Sequence, residues 1–429
     1  MIIVVTHKGQ ENAFINLLSN LDVKFEQRRT KHIFYVHDID IENPILSDSC
    51  VKDFQENVEF NPEDFLMGAQ QIDIDKGQFA KFMRMQPVSP SLKTSPWQIA
   101  DAIRRVSPWT NSKNRKASST FHCKRTGEGV DIYVFDTGMA CDDEEFEDRA
   151  FDVDGLRYPQ KLMTRWWSGY HGSMVAAGAA GKVHGIAKKA TLWSKIGLYS
   201  GGRTAAFLFE QMEKVHEHID SRISLNRPAI VNMSLGGPPM PQLKAEMEEM
   251  LDKGVIFVAA AGNLSITLSD SGFGAVTFEP ASYAFDGFIT VGATNLERNI
   301  AFFSNYNHPR RMVYAGGEVA SGKTMTSYLP DAQLKDTFIS GTSFASPLVA
   351  GILACMLQGH NRPTNRAEAE AAIQALLKNA TKNVINPRVK GRQLGYGPVE
   401  IEMTEGQNLL AYLDPNIDFE LIEGLTKKV

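Results

Sequence analysis

Five short apolar runs, separated by stretches with helical spacing, restrict this chain more than any other feature of its sequence. They are VDIYVF (130–135), ATLWSKI (190–196), AIVNMSL (229–235), VIFVAAA (255–261) and FITVGAT (288–294). A strand covered on one face alternates apolar with polar residues, whereas runs as continuous as VDIYVF are what strands buried on both faces require. Helices are read from about residue 172, through AAFLFEQMEKVHEHI and LKAEMEEMLDK, and a long apolar one opens at Ser343. Repeated β-α units specify an α/β fold with a mainly parallel sheet and helices on both of its faces. In such sheets chemistry gathers beyond the carboxyl ends of the strands.

The first 66 residues read as a unit of their own: strand IIVVTH, helix GQENAFINLLSN, strands VKFEQR and HIFYVHDI, helix NPILSDSCVKDFQEN and strand VEFNPED. That order is the split βαβ, or ferredoxin-like, arrangement of a small α+β domain. Residues 67–95, ending in text such as RMQPVSPSLKTSPW, have the polar and proline-rich character of an exposed linker. The main domain is expected over residues 96–412, and residues 413–429 are set apart as a C-terminal tail without an assignable pattern.

A chain of 429 residues, 43% apolar and 22% charged, can bury a substantial core. Its net charge of −5 provides no basic footprint for nucleic acid and no polybasic patch for a membrane. The N-terminal text MIIVVTHKGQENAF lacks the parts of a signal peptide, and no apolar run approaches a membrane span, so a cytoplasmic protein is expected, with a viral particle or non-classical export left open. Cys50, Cys123, Cys141 and Cys355 are scattered without metal-site spacing and read as reduced thiols, one or two disulfides remaining open.

Four polar residues stand where the sheet makes them conspicuous. Asp136 ends the first buried strand, where a carboxylate beside apolar neighbours needs a partner. His171 opens a helix of small residues, Asn263 follows VIFVAAAG, and Ser343 sits in FISGTSFASPLVAG at a helix start, with its unpaired N–H groups and positive dipole end. Each has an ordinary structural reading: a turn aspartate, a satisfied histidine, a turn asparagine and a capping serine. Taken together they supply what acyl transfer by a serine needs, namely a hydroxyl nucleophile, an imidazole base, a carboxylate to orient it and an oxyanion donor. The glycines at 172, 178 and 181 have the wrong spacing for a dinucleotide fingerprint.

At this point the chain resembles the subtilisin-like serine proteases, and within them the proteinase K branch. The similar text is VDIYVFDTGMACDDEEFEDRA, HGSMVAAGAAGKVHGIAKKATLWSKI, IVNMSLGG, GVIFVAAAGN, EPASYAFDGFITVGAT with FFSNYN, and ISGTSFASPLVAG, spread in the family's order over roughly residues 95–360. The resemblance implies a subtilisin-like three-layer fold and a serine endopeptidase, with Asp136 orienting His171, His171 serving as base and then acid, and Ser343 as nucleophile. It further implies an oxyanion hole from the Asn263 side chain and the Ser343 N–H, and a substrate-pairing edge at Ser234, Leu235 and Gly236. The N-terminal unit resembles inhibitory propeptides of this family, which implies a zymogen processed between about residues 67 and 96. Substrates would be proteins or peptides. A silent subtilase-fold binding protein with a permanently docked N-terminal unit, an uncleaved regulatory unit and a transferase making peptide bonds remain alternatives.

HGSM, with Ser173 and Met174, stands where the family usually has HGTH, and Phe344 and Leu348 replace common Met and His. The chemistry requires no cofactor. A structural calcium stays open without a clear site, because Asn295 follows GAT where the proteinase K branch often has a calcium-binding aspartate. The acidic run DDEEFED (142–148) reads as solvated surface, as do His216 and His218, whose i, i+2 spacing on a helix does not face one metal.

Overall fold

The structure, a computed structural model, describes residues 1–56, 59–60, 97–103, 121–155, 168–197, 203–237, 239–268, 278–318, 320–325, 334–386, 403, 406–414 and 422–428. The expected linker, 67–95, and the processing region, 67–96, lie outside them. In chain order the elements are β1 (Ile2–Thr6), α1 (Glu11–Asn20), β2 (Phe25–Gln27), β3 (Ile33–Val36), β4 (Val51–Glu56), β5 (Glu59–Phe60), α2 (Trp97–Ala102), β6 (Asp131–Asp136), β7 (Ala150–Asp152), α3 (Ser168–Ala180), β8 (Thr191–Ile196) and β9 (Arg203–Thr204). They continue with α4 (Ala205–Ser221), β10 (Ala229–Met233), α5 (Pro241–Asp252), β11 (Ile256–Ala260), β12 (Phe288–Thr294), β13 (Met312–Gly316), β14 (Ala320–Met325), β15 (Leu334–Ile339), α6 (Thr342–Leu357), α7 (Arg366–Asn379), β16 (Thr381–Lys382) and β17 (Leu409–Leu410).

The central sheet has the order β16-β17-β13-β12-β11-β10-β6-β8-β7, and its described pairs are parallel except β16 with β17. Alternate side chains of the same strands enter different cores. Ile132, Val134, Ile230, Val258 and Val291 join α3 and α6 on one face. Tyr133, Phe135, Val231, Phe257 and Ala259 join α4 and α5 on the other. The continuous apolar runs are thereby explained: there is no wet face for a polar residue to occupy. All 16 residues of α6 are buried, which is why that helix shows no polar stripe.

The N-terminal unit is a sheet of order β2-β3-β1-β4 with α1 on one face. Here the expected β-α-β-β-α-β order needs correcting. The second helix is a short 3₁₀ turn at Pro44–Ser47, held by Asn43 accepting from the Ile45 N–H, and Asp48 then accepts from the Cys50 N–H. These side-chain bonds end the turn, and Val51–Glu56 pairs with β1 as a strand. The last expected strand is the two-residue β5, which pairs antiparallel with β9 of the main domain.

Ile2 and Val4 face the unit's own core with Phe14, Leu18 and Phe34, while Ile3 and Val5 join Ile33, Tyr35, Leu208, Phe209 and Met212 over α4 and α5. Each such side chain, fully buried, contributes on the order of 1.5–3 kcal/mol. Around this apolar contact lies a charged rim: Arg28 Nη2 reaches Glu213 at 2.6 Å, Arg29 pairs with Asp220, Thr30 donates to Glu246, and Lys8 reaches Glu249 at 2.7 Å. His216, expected on the surface, is instead 2% exposed and bonds Glu246 Oε1 through Nδ1 at 2.5 Å. His218 lies between Tyr133 and Trp193, its ring centroid 4.3 Å from that of Trp193.

Two further expectations change. The acidic run is only partly solvated: Glu145, 1% exposed, accepts from the Val183 and His184 N–H groups and from His184 Nδ1. Burial alone would raise its pKa, but the His184 contacts and these hydrogen bonds hold it below the usual carboxylate range. No break occurs at residue 413 either, since Leu413, Ile422 and Leu425 belong to the main core and the Leu413 N–H bonds Ala102 O. All four cysteines are free thiols. Among the described residues no helix is long and apolar enough to cross a membrane.

Candidate active site

Asp136 is the last residue of β6, and its carboxylate is buried at the carboxyl edge of the sheet. Its Oδ1 accepts from the Thr137 N–H at 2.7 Å and contacts His171 Nδ1 at 2.8 Å. A carboxylate only accepts, so Nδ1 carries the proton, and in the neutral ring Nε2 then presents a lone pair. That Nε2 is buried and has no hydrogen-bond partner among the described residues.

His171 lies in the first turn of α3, which begins at Ser168, somewhat earlier than its spacing suggested. The turn after β6 and the start of α3 meet closely. The Gly172 N–H donates to Thr137 Oγ1 at 2.9 Å, and a Cβ on Gly172 would stand 2.1 Å from Gly138 O. Glycine at 172 is therefore a requirement of close approach, and any side chain there would push the imidazole away from its carboxylate. Ser173 keeps a structural bond in place of the usual threonine, accepting from the Ala140 N–H at 2.9 Å. Met174 packs against the main core, and Phe344 sets its ring 5.4 Å from the His171 ring. Phe344 thus lies against the imidazole, and none of these departures removes a polar catalytic group.

Ser343 is the second residue of α6. Gly341 precedes the helix with φ 155° and ψ 151°, a backbone region essentially reserved for glycine. Ser343 Oγ donates to the backbone carbonyl of Ser234 at 3.2 Å. Asn263 lies just beyond β11, and its Oδ1 accepts from both the Thr342 N–H (2.9 Å) and Thr342 Oγ1 (2.8 Å). With the carbonyl end of the amide fixed in this way, its Nδ2 donor is the end left for another acceptor.

Ser234 and Leu235, expected to meet substrate, are 1% and 3% exposed, so any contact from this segment falls to its backbone. A Cβ on Gly236 would stand 2.2 Å from the Phe278 ring, and one on Gly262 would stand 2.5 Å from it. Phe278 therefore fills the space between the two glycine segments that flank Asn263 and Ser234.

Several supporting residues are missed when the sequence is read one residue at a time. Asn305, within FFSNYN, is fully buried; its Oδ1 accepts from the Leu264 and Ile266 N–H groups and its Nδ2 donates to Ala261 O, which braces the loop carrying Asn263. Thr137 and Thr342 hold the histidine and asparagine segments. Glu318, beside the Gly317 carbonyl that accepts from the Gly341 N–H, is pushed up to about 7 by burial, with Glu297 adding to the effect. Asn295 Oδ1 accepts from the Glu297 and Asn299 N–H groups, as a turn residue does. Among the described residues no cluster of three His, Cys, Asp or Glu side chains could hold a metal ion.

Comparison with known proteins gives the same picture. The model of the subtilase family matches residues 39–397. The chain is 32% identical over 274 residues to the subtilisin-like serine protease Cla h 9.0101 of Davidiella tassiana, covering 62% of this chain and 49% of that protein. It is 32% identical over 271 residues to alkaline protease 2 of Aspergillus fumigatus, covering 61% and 50%. It is 33% identical over 276 residues to the subtilisin-like serine protease Pen c 2 of Penicillium citrinum, covering 62% and 56%. The chain spans about half the length of the curated relatives it matches. The crystal structure of a cold adapted subtilisin-like serine proteinase superposes with a TM-score of 0.53 at 24% identity, over 74% of this chain and 98% of that one, so the two share a fold. The expected cytoplasmic location is overturned by these relatives, which are fungal subtilisin-like serine proteases and an alkaline protease.

Proposed function

The chain belongs to the subtilase family, and we propose that it is a serine endopeptidase acting through Asp136, His171 and Ser343. One observation carries this reading: a buried imidazole whose Nδ1 is locked 2.8 Å from a carboxylate while its Nε2 has no partner among the described residues, beside the first turn of the helix that bears Ser343. In the proposed reaction Ser343 Oγ attacks the scissile carbonyl as its proton passes to His171 Nε2. The imidazolium returns that proton to the leaving amine, and water repeats the sequence on the acyl-enzyme. The chemistry of this family needs no cofactor.

The bond from Ser343 Oγ to the Ser234 carbonyl bears on how the reaction starts. A substrate pairing in extended form along residues 234–236 would bring its own N–H to that carbonyl, a case of β-augmentation. The serine hydroxyl, displaced, would then turn to Nε2. Hydrogen bonds of this kind commonly tighten only once substrate is present. The developing oxyanion would be met by Asn263 Nδ2 and the Ser343 N–H at the start of α6.

Asn263→Ala should therefore lower kcat by about 10²–10³, the size of effect known for the oxyanion asparagine of subtilisin itself. Steady-state kinetics on a peptide substrate test this, and an unchanged kcat would remove Asn263 from the oxyanion site. Product masses from the same digests separate hydrolysis from ligation.

We assign the N-terminal unit, residues 1–66, as an intramolecular inhibitor, joined to a peptidase domain by a segment that is cut between about residues 67 and 96. Its docking on α4 and α5 and the β5–β9 pairing support that reading, because they lead the chain from the docked unit onto the main domain. Glu213→Ala would leave the partly buried Arg28 guanidinium with the exposed Glu26 as its remaining carboxylate, and losing the buried partner of such a pair costs roughly 2 kcal/mol, the low end for buried pairs. The cleaved unit should then be retained about 30-fold more weakly, or worse, read by size-exclusion chromatography of the processed protein at increasing dilution. Retention equal to wild type would show that the pair adds nothing to docking. A structural calcium, if bound, would take a site other than Asn295, whose carboxamide oxygen is already engaged by two N–H groups.

A further inference from the structure

Pro347 is the sixth residue of α6 and lies inside the helix, not at its first turn where proline is easily tolerated. In an α-helix the carbonyl of residue i is bonded by the N–H of residue i+4. Proline has no N–H, and its ring crowds the carbonyl four residues back. The carbonyl so deprived is that of Ser343.

A side chain from the sheet replaces the missing donor. Ser234 Oγ donates to Ser343 O at 2.8 Å. Two further groups meet the same hydroxyl, Asn232 Nδ2 at 2.9 Å and Ser346 Oγ at 2.9 Å. A hydroxyl has one proton, and a backbone carbonyl can only accept, so that proton is committed to Ser343 O. The amide of Asn232 and the hydroxyl of Ser346 then act as donors to Ser234 Oγ. Both flanking residues are fully buried, and Ser234 and Ser343 are 1% and 3% exposed. With these directions Ser343 O has its donor, while Asn232 Oδ1 has no partner among the described residues.

We infer that the Ser234 hydroxyl is a positioning group for the nucleophile, supplying the bond that Pro347 withholds and fixing the peptide that follows Ser343. This inference rests on the reading of Ser343 as nucleophile, and it gives Ser234 a side-chain role distinct from that of its backbone carbonyl. The tether joins the first turn of α6 to the end of β10, so the Ser343 Oγ and N–H keep their distances from His171 and Asn263. Proline at 347 is what makes the tether necessary, because any other residue there would bring its own N–H.

The test is a double-mutant cycle in the full chain with Ser234→Ala, Pro347→Ala and the pair. Ser234→Ala should lower kcat by about 10- to 100-fold, as expected for a nucleophile displaced by a fraction of an ångström to an ångström, with KM changed by less than about twofold. In the Pro347→Ala background the restored N–H can take the Ser343 carbonyl, and the same substitution should cost no more than about threefold. Ser234→Thr, which keeps a hydroxyl, should recover most of the loss. Active-site titration with an acylating ester normalises each variant to folded enzyme. Equal losses of kcat in the two backgrounds would overturn the inference. Thermal unfolding of the four proteins provides a readout free of activity: non-additive shifts in Tm support the tether and additive ones overturn it. Should wild type hydrolyse neither esters nor peptides, the nucleophile reading fails while the unfolding cycle still decides the tether. Should Ser234→Ala not fold alone, folding of the double variant supports the tether, and its failure overturns it.

Discussion

Replacing Ser343 by alanine is expected to leave the chain at its full mass while wild type is shortened by a cut between about residues 67 and 96. On peptide substrates the same substitution should lower kcat by about 10⁶, the effect established for the equivalent group of subtilisin. The physical case lies in what the hydroxyl does. It is a small group at 3% exposure whose bond to the Ser234 carbonyl is the sole polar contact of its oxygen among the described residues. Removing it leaves that carbonyl with one acceptor site unfilled and opens no sizeable cavity, so stability should change little while the attacking atom is gone. Intact-mass spectrometry of the two proteins expressed side by side reads both the processing and its dependence on Ser343. A shortened Ser343→Ala chain would mean that another protease makes the cut. Equal full-length masses would favour a docked N-terminal unit that is never removed.

Asp136→Asn should lower kcat by about 10⁴, the magnitude known for this change in serine proteases of another fold. The carboxylate and the amide have nearly the same shape, so packing beneath β6 should survive. What changes is the proton on the imidazole. Asp136 Oδ1 accepts from the Thr137 N–H and from His171 Nδ1 at once. Because one oxygen serves both, an asparagine that sets its NH₂ toward Nδ1 gives up the Thr137 bond and moves the histidine proton to Nε2. That nitrogen then has no lone pair with which to accept from Ser343. Substrate affinity should be nearly untouched, so the loss should fall on kcat and not on KM. A loss below about tenfold would mean that the Asp136 contact does not set the tautomer.

The parts of this molecule that could be read from its sequence are those where one physical requirement dominates. Strands buried on both faces need unbroken apolar runs, and β6, β8, β10, β11 and β12 all fall within a few residues of the runs that announced them. Asp136, His171, Asn263 and Ser343 could be singled out because each is a polar residue at a strand end or helix start. The structure brings Asp136 to His171 and Thr342 to Asn263, and it turns the Ser343 hydroxyl to Ser234. Less legible were places where a few side-chain bonds decide the backbone. NPILSDSCVKDFQEN has a helical look, yet Asn43 and Asp48 close local turns and free Val51–Glu56 to join a sheet. His216 and Glu145 looked like surface residues because their partners, Glu246 and His184, are 30 and 39 positions away. β13, β17 and α7 lie in stretches where no pattern was assigned, and β17 offers two residues to the sheet, too few for periodicity to register.

The alternation in β1 separates two clocks. Ile2 and Val4 belong to the N-terminal core, while Ile3 and Val5 belong to the core shared with α4 and α5. Cutting the chain beyond β5 severs no contact made by these four side chains. If the chain is processed as proposed, peptide-bond scission and departure of the N-terminal unit would be distinct kinetic events: the first would run at the pace of acyl transfer, the second at the pace at which water enters the seam under Ile3, Val5, Ile33 and Tyr35. A protein cut but not yet parted would look mature by mass and remain latent by activity, and dilution, salt and temperature, rather than catalysis, would set how long that interval lasts.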